Sequence, residues 1–181
     1  MLTAKKSVSF NDASRIFAKL KSEGKKIVQC HGTFDLLHSG HIIHFEEAKA
    51  LGDILVVTIT AEEYVNKGPG RPYFNDELRV KFLSSLEYID YVVVVPFPAA
   101  SEAIECVRPH IYCKGKEYED PQVDVTSNIY DDIKTVERLG GAVRYVGSVV
   151  FSSTKLLNRH FEVHPQEMKE FCKKLAERYT P

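Results

Sequence analysis

Short apolar runs alternate with stretches of helical periodicity along this chain, and that alternation leaves few folds open. The run Ile54-Leu55-Val56-Val57-Thr58-Ile59 is apolar on both faces of any strand it forms, as a sheet buried on both sides requires. Ile27 to Cys30 reads the same way, and Tyr91 to Val95, His110 to Cys113 and Ala142 to Val146 read as further strands. Between them the apolar spacing changes from two to three or four residues. Residues from about 10 to 23 form a helix capped by Asn11 or Asp12, with Ile16, Phe17 and Leu20 on one face and Gly24 as its stop. Ser39 to Leu51 is a second helix, with Ile42, Phe45 and Ala48 inward. Glu77 to Tyr88 is a third, with Leu78, Phe82, Leu83 and Leu86 spaced for burial. Ala99 to Val107, residues 129–139 and the short stretch Ser152 to Asn158 complete the set.

Strands separated by helices imply parallel pairing with right-handed crossovers. The expected fold is therefore α/β: a doubly wound, Rossmann-like, five-stranded parallel sheet with helices on both faces. Residues 1–160 make one domain of ordinary size. Residues 161–181 follow as an amphipathic helix, with Met168, Phe171, Cys172, Leu175 and Tyr179 on one stripe, suited to packing, dimer contact or linkage. Residues 114–128 are polar and punctuated by glycine and proline, as a loop over the site would be.

A formal charge of −1 carries no electrostatic footprint for nucleic acid. No apolar run approaches the ~20 residues that cross a bilayer, and the start of the chain lacks the apolar core of a signal peptide. The four cysteines show no CxxC spacing. Reduced core thiols and a cytoplasmic protein are the expectation.

Chemistry concentrates where the first buried strand gives way to a helix: Gly32-Thr33-Phe34-Asp35-Leu36-Leu37-His38-Ser39-Gly40-His41. Backbone N–H groups at a helix start favour anions. Two imidazoles around Gly40 add donors there, and Ser39 is placed to cap the helix. Ligation of a metal by His38, His41 and His44 is the competing reading, but rings three residues apart fan around a helix and suit zinc poorly. The ten-residue run resembles the (T/G)xFDxxHxGH signature of the nucleotidyltransferase superfamily, whose members join a nucleoside triphosphate to a phosphorylated small molecule.

Three further segments, in order, extend the resemblance over about residues 15–160. Asn66-Lys67-Gly68-Pro69-Gly70-Arg71-Pro72, with Arg79 beyond it, looks like the loop of the sugar-1-phosphate adenylyltransferases that make ADP-activated heptose. Lys114-Gly115-Lys116-Glu117-Tyr118 is similar to their KGxDY segment, although His110 and Glu117 stand where aspartates are preferred. Phe151-Ser152-Ser153-Thr154 matches their hydroxyl-rich helix start. Cytidylyltransferase relatives carry an arginine just before that segment, and here the run is Val146-Gly147-Ser148-Val149-Val150.

The resemblance implies roles. His38, His41, Lys67 and Arg79 would be catalytic. Gly32, Thr33, Phe34, Asp35, Gly40, Lys114, Ser152, Ser153 and Thr154 would bind nucleotide, and Arg71 would bind the acceptor. Asp35 has an Asx turn as its alternative. His31 either contacts substrate or ends the strand. The implied reaction transfers AMP from ATP to a heptose-type sugar 1-phosphate, releasing pyrophosphate. Its rivals are CTP-dependent transfer to a polyol or glycerol phosphate, and a nucleotide-sensing module without turnover. Mg2+ would be held mainly by the triphosphate, with no protein metal site. A homodimer and association with a sugar kinase are the expected assemblies.

Overall fold

The computed structural model describes residues 6–68, 70–119 and 128–147, excluding the side chains of Glu117 and Asn128. The chain divides into two compact units, Met1–Val150 and Phe151–Pro181. The expected boundary at residue 160 falls in the second unit. That unit, with the expected helix at Ser152 and the C-terminal stripe, lies outside the described residues.

The first unit is a parallel sheet of six strands, one more than expected. They are β1 (Ser7–Val8), β2 (Ile27–Gly32), β3 (Ile54–Thr60), β4 (Tyr91–Val95), β5 (Ile111–Gly115) and β6 (Ala142–Val146), in the order β1-β4-β3-β2-β5-β6. The additional strand is two residues long, too short to carry a periodic signal, and is fixed by parallel pairing of Ser7 with Val92 and Val8 with Val93. Helices α1 (Phe10–Ser22), α2 (Ser39–Lys49), α3 (Asp76–Ser84), α4 (Ala100–Val107) and α5 (Asn128–Arg138) alternate with the strands.

Period-2 alternation sorts each strand between two cores. Val28, Cys30, Leu55, Val57, Ile59 and Val92 pack with Phe45 and Ala48 of α2 and Leu83 of α3. The opposite faces, Ile27, Val56 and Val93, meet Ala13 and Phe17 of α1 and Val107 of α4. Tyr112 packs with Ile104 of α4 and Val136 of α5. Helices thus cover both sheet faces, as the unbroken apolar runs require.

Local chemistry moves several element ends. Ser9, rather than Asn11 or Asp12, caps α1: its hydroxyl accepts from the Asp12 amide. Gly24 ends that helix with φ +79°, a conformation that favours glycine. Helix α3 stops at Ser84, so Leu78 and Phe82 remain exposed while Leu83 carries the burial. The sheet order matters most for function. From β2 the chain winds outward through β3 and β4 on one side, and β5 and β6 lie on the other. The C-terminal ends of β2 and β5 therefore flank the crevice where such sheets take ligands.

Candidate active site

The β2–α2 connection places both motif histidines at that crevice. His38 is the N-cap of α2, with extended backbone (φ −143°, ψ 172°), so Ser39 lies one residue inside the helix and is not its cap. The His38 amide donates to Nδ1 of His41 at 3.3 Å. An imidazole here takes the reach-back position that a glutamate fills in many helix starts. The first turn of α2 holds no acidic residue, which leaves its field open to anions. The two rings stack, with centroids 3.8 Å apart and planes 24° from parallel. Burial, followed by the charges of His38, His44 and Lys67, pushes the His41 pKa down to about 3. Because Nδ1 accepts, neutral His41 carries its proton on Nε2, a donor for an incoming oxygen.

Gly32 and Phe34 hold that ring from behind. Phe34 has φ +46° and packs edge-to-face on His41 at 5.4 Å and against Phe45 at 5.1 Å. A Cβ on Gly32 would stand 3.2 Å from the Phe34 ring, closer than ordinary contact. Gly40 is buried at the helix start.

The loop after β3 is tied to this motif by one carboxylate. Asp35, 3% exposed, accepts from the amides of Tyr73 (2.9 Å) and Phe74 (3.0 Å) and from Nε of Arg71 (2.7 Å). Burial opposes its ionisation, but these two amides and the Arg71 guanidinium outweigh burial and hold its pKa below the ordinary carboxylate value. The Arg71 guanidinium also lies over the Tyr73 ring, 4.6 Å from its centroid. Lys67 reaches the same corner. Partial desolvation, then the Arg71 charge, lower its pKa, with Asp35 acting in the opposite sense.

The opposite wall is neutral or charge-balanced. His31 Nδ1 lies 3.0 Å from Thr58 Oγ1, and His31 Nε2 lies 3.3 Å from Thr60 Oγ1. Thr58 spends its own hydrogen on the Cys30 carbonyl, so His31 donates from Nδ1 and accepts at Nε2. Burial, then the Lys114 charge, lowers the His31 pKa to about 3, consistent with that neutral tautomer. Lys114 pairs with Asp132 of α5 at 2.9 Å and lies 5.4 and 5.5 Å from the ring centroids of Tyr112 and Tyr118. The Tyr112 hydroxyl donates to the same carboxylate, and burial first, then Asp132, raises its pKa well above the usual phenol value.

Residues 29–159 match the cytidylyltransferase-like family. The chain belongs to that family. It is 39% identical over 135 residues to the "Bifunctional protein HldE" of Aliarcobacter butzleri, covering 74% of this chain and 28% of the relative. The protein of the same name in Wolinella succinogenes is 38% identical over 136 residues, with the same coverage. The chain thus spans little more than a quarter of the length of these curated relatives. A lipopolysaccharide core biosynthesis protein of Thermoplasma volcanium superposes with TM-score 0.56 at 26% identity, covering 71% of this chain and all of that one. A pantoate-beta-alanine ligase of Francisella tularensis shares the fold at TM-score 0.59 and 13% identity, over 94% of this chain and 77% of its own. Both comparisons agree with a doubly wound α/β sheet, and no helix among the described residues is long and apolar enough to cross a membrane.

Within this cytidylyltransferase-like domain the structure gathers His38, His41, Lys67 and Arg71 around one corner, with Gly32, Phe34, Asp35 and Gly40 supporting them. Arg79 is placed differently from expectation. Its side chain is fully buried; Nη1 donates to the Thr33 and Thr60 carbonyls at 2.8 and 2.9 Å, and Nη2 pairs with Asp76. It braces the motif loop from beneath and is not presented to the cleft, because its turn of α3 faces the sheet. The Thr33 carbonyl serves that brace. Ser152, Ser153 and Thr154 lie outside the described residues. Sequence reasoning missed Thr58, Thr60, Tyr73 and Asp132. Thr58 and Thr60 carried a signal, since polar residues inside the otherwise apolar run ILVVTIT mark a buried polar contact. Tyr73 and Asp132 carried none, their roles depending on partners distant in sequence.

Proposed function

We propose that this domain transfers AMP from ATP to a heptose-type sugar 1-phosphate and releases pyrophosphate. The observation that carries the reading is the stacked His38–His41 pair at a helix start, facing the two cations of the loop after β3. The KGPGRP loop and the similarity to bifunctional HldE proteins support ATP and a heptose phosphate over CTP and a polyol phosphate.

A phosphate monoester has its second pKa near ~6, so at neutral pH it is a competent oxygen nucleophile without a general base. Its oxygen bonds to the α-phosphorus as the bond to the bridging oxygen of pyrophosphate breaks. The task left to the protein is to bring two polyanions together and stabilise charge in the crowded transition state. His41, protonated at Nε2, donates to the α-phosphate oxygens, alongside His38 and the α2 amides. Lys67 and Arg71 neutralise the acceptor phosphate and the departing pyrophosphate. Lys114, held by Asp132 and two tyrosines, faces the nucleoside.

Asp35 is already engaged by three donors. Mg2+ enters the reading as a companion of the triphosphate. Cys30, Cys106 and Cys113 are free thiols, in keeping with a cytoplasmic enzyme. Association with a sugar kinase, which would supply the phosphorylated acceptor, belongs to the same reading. Homodimerisation completes the reading and is measured by light scattering.

Pyrophosphate release from ATP or CTP across a panel of phosphosugars and phosphopolyols tests the function. The expected result is release from ATP with heptose 1-phosphate, lowered about 10²–10³-fold in His41→Ala. Release only from CTP with a polyol phosphate would overturn the donor assignment. Nucleotide binding without pyrophosphate from any acceptor would establish a sensing module instead.

A further inference from the structure

Arg71 is the most constrained cation at the corner. Its Nε is fixed to the buried Asp35 at 2.7 Å, and its guanidinium face lies 4.6 Å from the centre of the Tyr73 ring. The Tyr73 amide donates to the same Asp35 oxygen at 2.9 Å, so ring and carboxylate are parts of one clamp. Tyr73 nevertheless stays 49% exposed. An exposed aromatic contributes little to a core, so its position must be explained by what it holds. Among the described residues the two terminal nitrogens of Arg71 have no hydrogen-bond partner.

We propose that Tyr73 is a positioning residue for acceptor recognition: its ring fixes the Arg71 guanidinium so that the terminal nitrogens present a fork to the acceptor phosphate. The inference rests on the reading of Arg71 as the acceptor-binding cation. Three physical facts support it. Asp35 restrains one nitrogen and leaves the guanidinium free to swing about the Nε contact. A ring against the guanidinium face removes that swing. A planar fork held in this way matches two phosphate oxygens at once, which an ammonium group cannot do.

The test is steady-state kinetics on the full chain with ATP and heptose 1-phosphate, together with thermal unfolding, for Tyr73→Leu, Tyr73→Phe, Arg71→Ala and the Tyr73→Leu/Arg71→Ala double variant. Tyr73→Leu should raise the KM for heptose 1-phosphate roughly 3- to 30-fold, leave the KM for ATP within about twofold, and keep the melting temperature near wild type. Tyr73→Phe keeps the ring face and should restore the wild-type KM. In the Arg71→Ala background, Tyr73→Leu should add nothing, because the group it positions is gone. An unchanged acceptor KM in Arg71→Ala would sink the parent reading of Arg71. A raised KM in Arg71→Ala with none in Tyr73→Leu would overturn the positioning role alone. Additive effects in the double variant would also overturn it, since Tyr73 would then touch the sugar itself.

Discussion

Replacing Asp35 by asparagine removes one charge without changing side-chain shape, and the structure sets the size of the effect. The carboxylate is 3% exposed and takes three donors: two backbone amides and a guanidinium. Hydrogen bonds to a charged acceptor are worth about 1.5–3 kcal/mol each. Asparagine keeps one acceptor oxygen, so it preserves part of this and turns an NH2 group toward one of the donors. A loss of about 2–4 kcal/mol follows, which for a chain of this size lowers the melting temperature by roughly 5–15 °C. The pH dependence is the sharper test. The folded pKa of Asp35 lies below its unfolded value of 3.8, so its charge contributes in full above that value and is lost as pH falls through the folded pKa. The gap between wild type and Asp35→Asn should therefore be constant from pH 8 to about 5 and should narrow below about 4. Urea unfolding of both proteins across that range measures it. A gap that is absent at pH 7, or equally wide at pH 3, would show that the carboxylate does not hold the loop as described.

The remaining expectations are briefer. His41 in the ligand-free protein should stay neutral from pH 5 to 8, because its pKa lies near 3; 15N shifts of the imidazole check this, and a titration near 6.5 would contradict it. His38→Ala should lower kcat about 10²–10³-fold with the melting temperature preserved, and a purely thermal effect would argue for a structural cap. Arg79→Met strands the Thr33 and Thr60 carbonyls and should cost about 2–5 kcal/mol in urea unfolding, whereas a stable variant with a raised acceptor KM would restore Arg79 to the cleft. Gly32→Ala must displace the Phe34 ring that backs His41, and should reduce turnover more than stability.

Periodicity revealed the fold because the central strands are mostly apolar on both faces, and Ile54–Thr60 can be little other than a central parallel strand. It failed at β1, which exists only because Ser7 and Val8 meet the edge of β4. The histidine motif was legible because its chemistry is local: cap, helix start and imidazoles fall within four residues. The burial of Arg79 was not legible, because a cation at a helix start looks the same in sequence whether it faces solvent or the sheet. The clamp of Tyr73 on Arg71 was invisible, since Asp35, which joins them, lies 36 and 38 positions away.

That long-range carboxylate explains how the corner tolerates its own charge. The exposed Lys67 and the largely buried Arg71 lie close enough for the Arg71 charge to depress the Lys67 pKa, and unbalanced cations this close would repel each other. Asp35 neutralises one of them from beneath, leaving the upper edge of Arg71 facing the cleft. His41 adds a donor without adding charge at neutral pH, its pKa being pushed down to about 3 by burial and neighbouring charges. On the proposed reading, an incoming triphosphate would meet oriented N–H groups and a limited positive charge, with little reorganisation left for the reaction itself. On this argument, removing Asp35 should harm turnover beyond its effect on stability. At a temperature where Asp35→Asn is fully folded, its kcat/KM for the acceptor should still fall severalfold. Wild-type kcat/KM in that folded variant would separate the loop's architecture from its chemistry and refute the idea that a single carboxylate serves both.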